Sequence, residues 1–157
     1  MATSDLRVTT PGDRRIVMTR VFDAARADVF DAWTQPDQVA AWWDPSGAPL
    51  AACEIDLRPG GAFRWAHDGP QPAFSGVYRA IESPGRLVFT VHSMTGGEDM
   101  HTELLFAEHD GRTTMTMTID CGSARDRAAL LAVRVDVGTA MTMDNLAAHL
   151  RRGGPAR

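Results

Sequence analysis

Apolar and polar positions change their period three times along this chain. Arg15–Phe22 is dense in apolar and β-branched residues and reads as a strand. Val29, Phe30 and Trp33 then recur at helical spacing. A second short helix begins at Pro36, which suits a first helical position, with Asp37 in its first turn and Val39, Trp42 and Trp43 on one face. Pro45, Gly47 and Pro49 end it. From Leu50 to Cys121 the period is two. It is plainest in Thr114-Met115-Thr116-Met117-Thr118-Ile119, where hydroxyl and apolar side chains alternate.

Turn signals cut this run at Pro59-Gly60-Gly61, Asp68-Gly69-Pro70, Pro84-Gly85, Gly96-Gly97 and Asp110-Gly111. Strands joined by tight turns form an antiparallel meander. A two-residue turn at Asp110-Gly111 sets Phe106 opposite Met115 and Leu104 opposite Met117. A two-residue turn at Gly96-Gly97 sets Phe89 opposite Leu104, Val91 opposite Thr102 and His92 opposite His101. Both turns give one apolar face, with Phe89, Val91, Leu104, Phe106, Met115, Met117 and Ile119, and a slip of one residue would destroy it. The other face carries Arg79, Thr90, Glu103, Thr114, Thr116 and Thr118, with Val88 and Leu105 as exceptions.

A long helix is expected over 124–150, capped by Ser123. Leu131, Val135, Thr139, Met143, Leu146 and Leu150 form its stripe. One apolar stripe and one apolar sheet face bury each other most simply by packing together. The fold class is therefore α+β: a curved antiparallel sheet wrapped around a long C-terminal helix, with two short helices after the first strand and room for an internal cavity.

Composition adds limits. The chain has 157 residues, enough for one domain with a substantial core. Residues 1–13 read as a loose arm, 14–151 as the domain and 152–157 as a frayed tail. The net charge of −4 offers no footprint for nucleic acid. All 16 basic residues are arginine, which fits codon usage in a GC-rich bacterial genome better than a binding patch, because they are scattered. Cys53 and Cys121 match no zinc or redox spacing and read as buried small hydrophobes. The first ten residues lack the apolar stretch of a signal peptide, and no apolar run approaches a membrane span. A cytoplasmic protein without membrane insertion, metal or cofactor is expected, as monomer or homodimer.

Three stretches resemble one family. They are Arg20–Pro45 (RVFDAARADVFDAWTQPDQVAAWWDP), Asp56–Arg64 with Gly76–Thr90 (DLRPGGAFR and GVYRAIESPGRLVFT), and Gly138–Leu150 (GTAMTMDNLAAHL). Together they are similar to the START-like or Bet v 1-like superfamily, in the branch related to the activator of the Hsp90 ATPase. The resemblance implies the helix-grip fold and a cavity. Relatives include lipid carriers, aromatic polyketide cyclases and co-chaperone domains, so it implies no single activity. Relatives often place Trp where this chain has Thr139, which implies a locally larger cavity here. The separate N-terminal domain of the eukaryotic co-chaperone has no counterpart in these residues.

Candidate chemistry is sparse. His67 follows Phe63 and Trp65 by alternation and so falls at the rim of the cup, where an imidazole can orient a ligand or move a proton. The plainer reading is a solvated histidine beside the Asp68-Gly69 turn. Tyr78, the sole tyrosine, needs a hydroxyl partner if it faces inward. These two are the candidate catalytic residues. The His92–His101 pair lies on the outer face without a third ligand, so it reads as a solvated pair rather than a metal site. His109 and His149 are expected at the surface. The Asp56-Leu57-Arg58-Pro59-Gly60-Gly61 run reads as a turn, not a phosphate loop. The expected cavity wall comprises Trp33, Trp42, Trp43, Phe63, Trp65, His67, Phe74, Tyr78, Phe89, Val91, Leu104, Met115, Met117, Val135, Thr139 and Met143.

The leading reading is a binding protein for a small hydrophobic molecule, its pocket adapted by flexible thioethers. The alternatives are a cyclase, dehydratase or hydrolase using the cavity, and an interaction module for a chaperone or regulator.

Overall fold

In the computed structural model, residues 6–70, 72–93 and 97–152 are described. Eight strands form one antiparallel sheet, ordered β1-β2-β8-β7-β6-β5-β4-β3. They are β1 (Arg7–Thr9), β2 (Arg15–Phe22), β3 (Ala52–Ile55), β4 (Ala62–Ala66), β5 (Phe74–Glu82), β6 (Arg86–Val91), β7 (Met100–His109) and β8 (Arg112–Asp120). Helices α1 (Arg26–Thr34) and α2 (Pro36–Trp42) cross between β2 and β3, from one side of the sheet to the other. The C-terminal segment contributes α3 (Ala124–Ala132) and α4 (Val135–Arg151). The sheet curves around α4 in the helix-grip arrangement expected of its pattern. Among the described residues no helix is long and apolar enough to cross a membrane.

The β7–β8 hairpin turns through Asp110 and Gly111 at φ of 53° and 75°. Both values are positive, as a type I′ turn demands. Phe106 pairs with Met115 and Leu104 with Met117, as the sequence predicts. The β6–β7 pairing is offset by two residues from the expected one. Phe89 faces Thr102, and Leu87 faces Leu104. β6 ends at Val91 and β7 begins at Met100, too far apart for a two-residue turn; Gly96 of the expected turn lies outside the described residues. The Asp99 carboxylate accepts from the Ser93 amide at 3.1 Å, and Asp126 in α3 accepts from the Glu98 amide at 3.0 Å. An offset of two keeps every side chain on its face, so the apolar face survives the error. The opposed histidines do not. His101 pairs with Thr90, while exposed His92 meets the Ser75 hydroxyl at 3.2 Å.

Three further expectations are corrected. Part of the expected N-terminal arm is strand β1, whose backbone groups complete the β2 edge. The long helix is interrupted at Arg134, which sits in the left-handed region at φ 57°, ψ 51°. Flanking Val133, Val135 and Val137 are weak helix formers, but no Gly or Pro marks the break. The break rotates α3 so that Leu130, not Leu131, is buried. Finally, His149 is buried, with its Nε2 3.0 Å from Gln38 Oε1 in α2. Ser123 caps α3 as expected, accepting from the Asp126 amide at 3.0 Å.

Inner positions of β2 are Ile16, Met18, Arg20 and Phe22, all buried. Arg20 breaks the apolar row. Its guanidinium pairs with Asp144 of α4 and lies over the Phe22 ring, which pins the helix to the sheet.

Candidate functional site

The concave face is not filled along its whole length. A cavity of about 300 Å³ remains between the sheet and the α3–α4 segment. Phe89, Val91, Met100, Thr102, Met117 and Ile119 form its floor. Leu130, Val133, Arg134, Val135, Gly138, Thr139 and Met143 form its roof. Trp33, Trp43, Pro45, His67 and Phe74 close the end near α1 and α2, and Thr142 also borders it. Strand alternation supplies the floor. Val133, Arg134 and Val135, at the break between α3 and α4, supply part of the roof.

Ten of the sixteen expected wall residues border this cavity: Trp33, Trp43, His67, Phe74, Phe89, Val91, Met117, Val135, Thr139 and Met143. Trp42, Phe63, Trp65, Tyr78, Leu104 and Met115 are instead packed in the core. Trp42 is held there by an indole N–H donated to the Ala32 carbonyl at 2.9 Å. The remainder stand under α1 and α2, where aromatic rings fill the cup. Trp33–Trp42 centroids are 4.9 Å apart and Phe63–Tyr78 centroids 5.1 Å apart. Burial pushes the Tyr78 hydroxyl well above the ordinary phenol range, and burial likewise takes the Cys53 thiol to about 11. Tyr78 is therefore protonated and removed from the main cavity.

The rim carries an organised polar group. His67 Nδ1 lies 3.1 Å from Asp44 Oδ2, and both side chains are about one-fifth exposed, at 20% and 21%. Asp44 Oδ1 accepts from the Ser46 amide and hydroxyl, each at 2.9 Å. The Ser46 amide is the main cause that holds the Asp44 carboxyl below its usual range, aided by the Ser46 hydroxyl and His67 against the opposing effect of burial. An ionised Asp44 favours a proton on Nδ1, which turns Nε2 away from the carboxylate. Helix α4 fixes this loop. Asn145 donates to the Asp44 carbonyl at 2.8 Å, and the Thr142 hydroxyl lies 3.3 Å from the Trp43 carbonyl. At the other side of the mouth, Arg134 donates through Nε and Nη2 to Asp136, both at 3.2 Å, so its charge is already compensated.

Asp44, Thr142 and Asn145 were not legible as site residues. Asp44-Pro45-Ser46-Gly47 signals a turn, and the polar Asn145 beside the buried stripe was the available hint. The cavity wall has one histidine and no Ser, Cys or carboxylate among the described residues. Nor does any cluster of three or more His, Cys, Asp or Glu among them suit a metal ion. The geometry allows the His67 imidazole to hydrogen-bond, or to exchange a proton, at the edge of an apolar cavity.

The same fold occurs in solved structures. A protein from Rhodobacter sphaeroides superposes with a TM-score of 0.84 at 22% identity, covering 94% of this chain and 98% of that one. CalU16 from Micromonospora echinospora gives 0.66 at 26% identity, covering 96% and 83%. An HSP90 activator from Plasmodium falciparum gives 0.57 at 16% identity, covering 68% and 72%. No curated protein matches the sequence. The model of the Activator of Hsp90 ATPase homolog 1-like proteins matches residues 23–151, a span from the end of β2 to the end of α4, and the chain belongs to that family.

Proposed function

We propose that this protein binds a small hydrophobic molecule in the cavity between the sheet and α4, with His67 as its polar contact at the rim. The observation that carries this reading is the unfilled, mostly apolar and partly open cavity of about 300 Å³ between the sheet and the α3–α4 segment. That volume lies at the small end of the range typical for ligand sites, roughly 300–1,000 Å³. An apolar wall with a few placed polar groups selects by shape and orients by hydrogen bonding. The Asp44–His67 pair supports a second reading, proton transfer by His67 during a cyclisation, dehydration or hydrolysis. Binding is favoured over it because, among the described residues, no carboxylate and no nucleophile of Ser or Cys type joins His67 in the wall.

Substitution of Thr139 by Trp tests the proposal. An indole there enters the cavity from α4. The thermal melting point should stay level or rise, and binding of an apolar fluorescent probe should weaken at least tenfold. Overpacking a filled site costs about 1–3 kcal/mol, so a clear drop in melting point with undiminished probe binding would show that the chamber is not the binding site. Native mass spectrometry of gently purified protein gives the independent check, a co-purified small molecule lost in Thr139→Trp. A substrate whose turnover disappears in His67→Ala would favour the second reading.

A further inference from the structure

Strand β7 turns Met100, Thr102, Leu104 and Phe106 inward, and all four are buried. Thr102 is the polar break in this row. It pairs with Phe89 of β6 on one side and Ile119 of β8 on the other, and all three border the cavity.

Among the described residues, every other buried Thr, Gln, His and Arg side chain has a partner. Thr34 donates to the Phe30 carbonyl at 2.9 Å, and Thr113 to the Ala24 carbonyl at 2.7 Å. Thr90 accepts from Arg79 at 3.0 Å, and Thr142 donates to the Gly138 carbonyl at 3.0 Å. Arg20 pairs with Asp144, and His149 meets Gln38. Thr102 is 5% exposed, and its hydroxyl has no hydrogen-bond partner among the described residues. Nor is this oxygen sealed in. The wholly enclosed polar atoms without a partner are Arg20 Nε, Trp33 Nε1, Trp65 Nε1 and the Tyr78 hydroxyl, and Thr102 Oγ1 is not among them. It therefore keeps some accessible surface, and the open space on this inward face of β7 is the cavity. A buried hydroxyl left without a hydrogen bond is costly. Valine has nearly the same shape and an equal preference for strands, so neither packing nor the strand requires the oxygen.

Taking the cavity as the ligand site, we infer that Thr102 is its specificity-determining floor contact, a hydroxyl that hydrogen-bonds a neutral hydroxyl or carbonyl group on an otherwise apolar ligand. A threonine hydroxyl both donates and accepts, so it serves either group. The ligand is uncharged at this point. Phe89 and Ile119, on either side of Thr102, are apolar. Of the other wall residues, Arg134 is already paired with Asp136 and His67 with Asp44. A carboxylate or ammonium over Thr102 would be desolvated without a free counter-charge. Thr102 on the floor and His67 at the rim give the apolar chamber two polar points on separate strands of the sheet, and a ligand that meets both is held in one orientation.

Naphthol and methylnaphthalene, substituted at the same ring position, have nearly the same shape and differ by a hydroxyl in place of a methyl. Equilibrium dialysis gives their affinities for wild type, Thr102→Val and Thr102→Ser. Naphthol should bind wild type more tightly than methylnaphthalene, lose about five- to tenfold in Thr102→Val and recover in Thr102→Ser. Methylnaphthalene should bind Thr102→Val at least as tightly as wild type. Without ligand, Thr102→Val should melt no lower than wild type, since the lost hydroxyl has no partner in the protein. If both probes bind wild type but Thr102→Val leaves the ratio of their affinities unchanged, Thr102 is not a ligand contact, while the cavity reading stands. The same holds if Thr102→Val melts well below wild type, which would give the hydroxyl a structural role. If neither probe binds wild type, the cavity reading fails and the Thr102 contact with it.

Discussion

Met115 and Met117 stand two residues apart on β8, point to the same face and are surrounded by different structure. Met115 is fully buried, pairs with Phe106 on one side and Arg20 on the other, and lies in the filled part of the cup. Met117 is 7% exposed and forms part of the cavity floor. Neither β-periodicity nor residue type distinguishes them. The difference is the cover. Near Met115 the aromatic side chains of α1 and the Arg20–Asp144 pair close the space between sheet and helices. Toward Met117 and Ile119 the cover is the broken α3–α4 segment, which arches without filling.

The largest expected effect is on that pair. Met115→Ala should destabilise by about 2–4 kcal/mol, because it opens a void in close-packed surroundings. Met117→Ala should cost about half as much and leave probe binding intact or stronger, since the side chain already borders open space. Urea unfolding of the two variants measures this, and equal losses would erase the distinction between the two ends.

A smaller loss is expected from Asp144→Asn, which leaves the buried Arg20 guanidinium without its carboxylate. Asp144 is itself half exposed, so solvent softens the loss to about 1–2 kcal/mol. The same denaturant series should show it with little change in probe affinity, because the pair belongs to the filled end. A large fall in probe binding would place the pair in the ligand site instead.

The smallest effect is a pH dependence of the filled end. Burial, and then the Arg152 charge, lower the His149 pKa from its ordinary value of 6.5. A lowered folded-state value means that the unfolded chain binds the proton first. His149 therefore contributes stability above pH 6.5, and that contribution is lost as the pH falls through the folded-state value. Melting points taken between pH 7.5 and 5 should fall less steeply in His149→Asn than in wild type; parallel slopes would mean that the histidine does not report on this interface.

Legibility followed the range of each interaction. Ser123, Pro36 and the Asp110-Gly111 turn were readable because their signals act over a few residues of backbone. The sheet face was readable because parity is indifferent to an error of two, which is why the β6–β7 offset left the core assignment intact while the His92–His101 pairing vanished. The Arg134 break was not readable. A left-handed arginine is strained by itself and is stabilised by what surrounds it, here the Asp136 carboxylate and the packing of two helices onto one sheet.

The sequence by itself determined the α+β class, the order of the elements, the inward face of each main strand and the aromatic stock at one end of the cup. These follow from periodicity, turn chemistry and capping, which are local in the chain. Only the tertiary structure decided that the cup is filled under α1 and open under α3 and α4. It also decided that His67 meets Asp44 across 23 positions of sequence. A cavity is the space left after side chains from distant segments have taken their places, and no local pattern in the chain encodes the remainder.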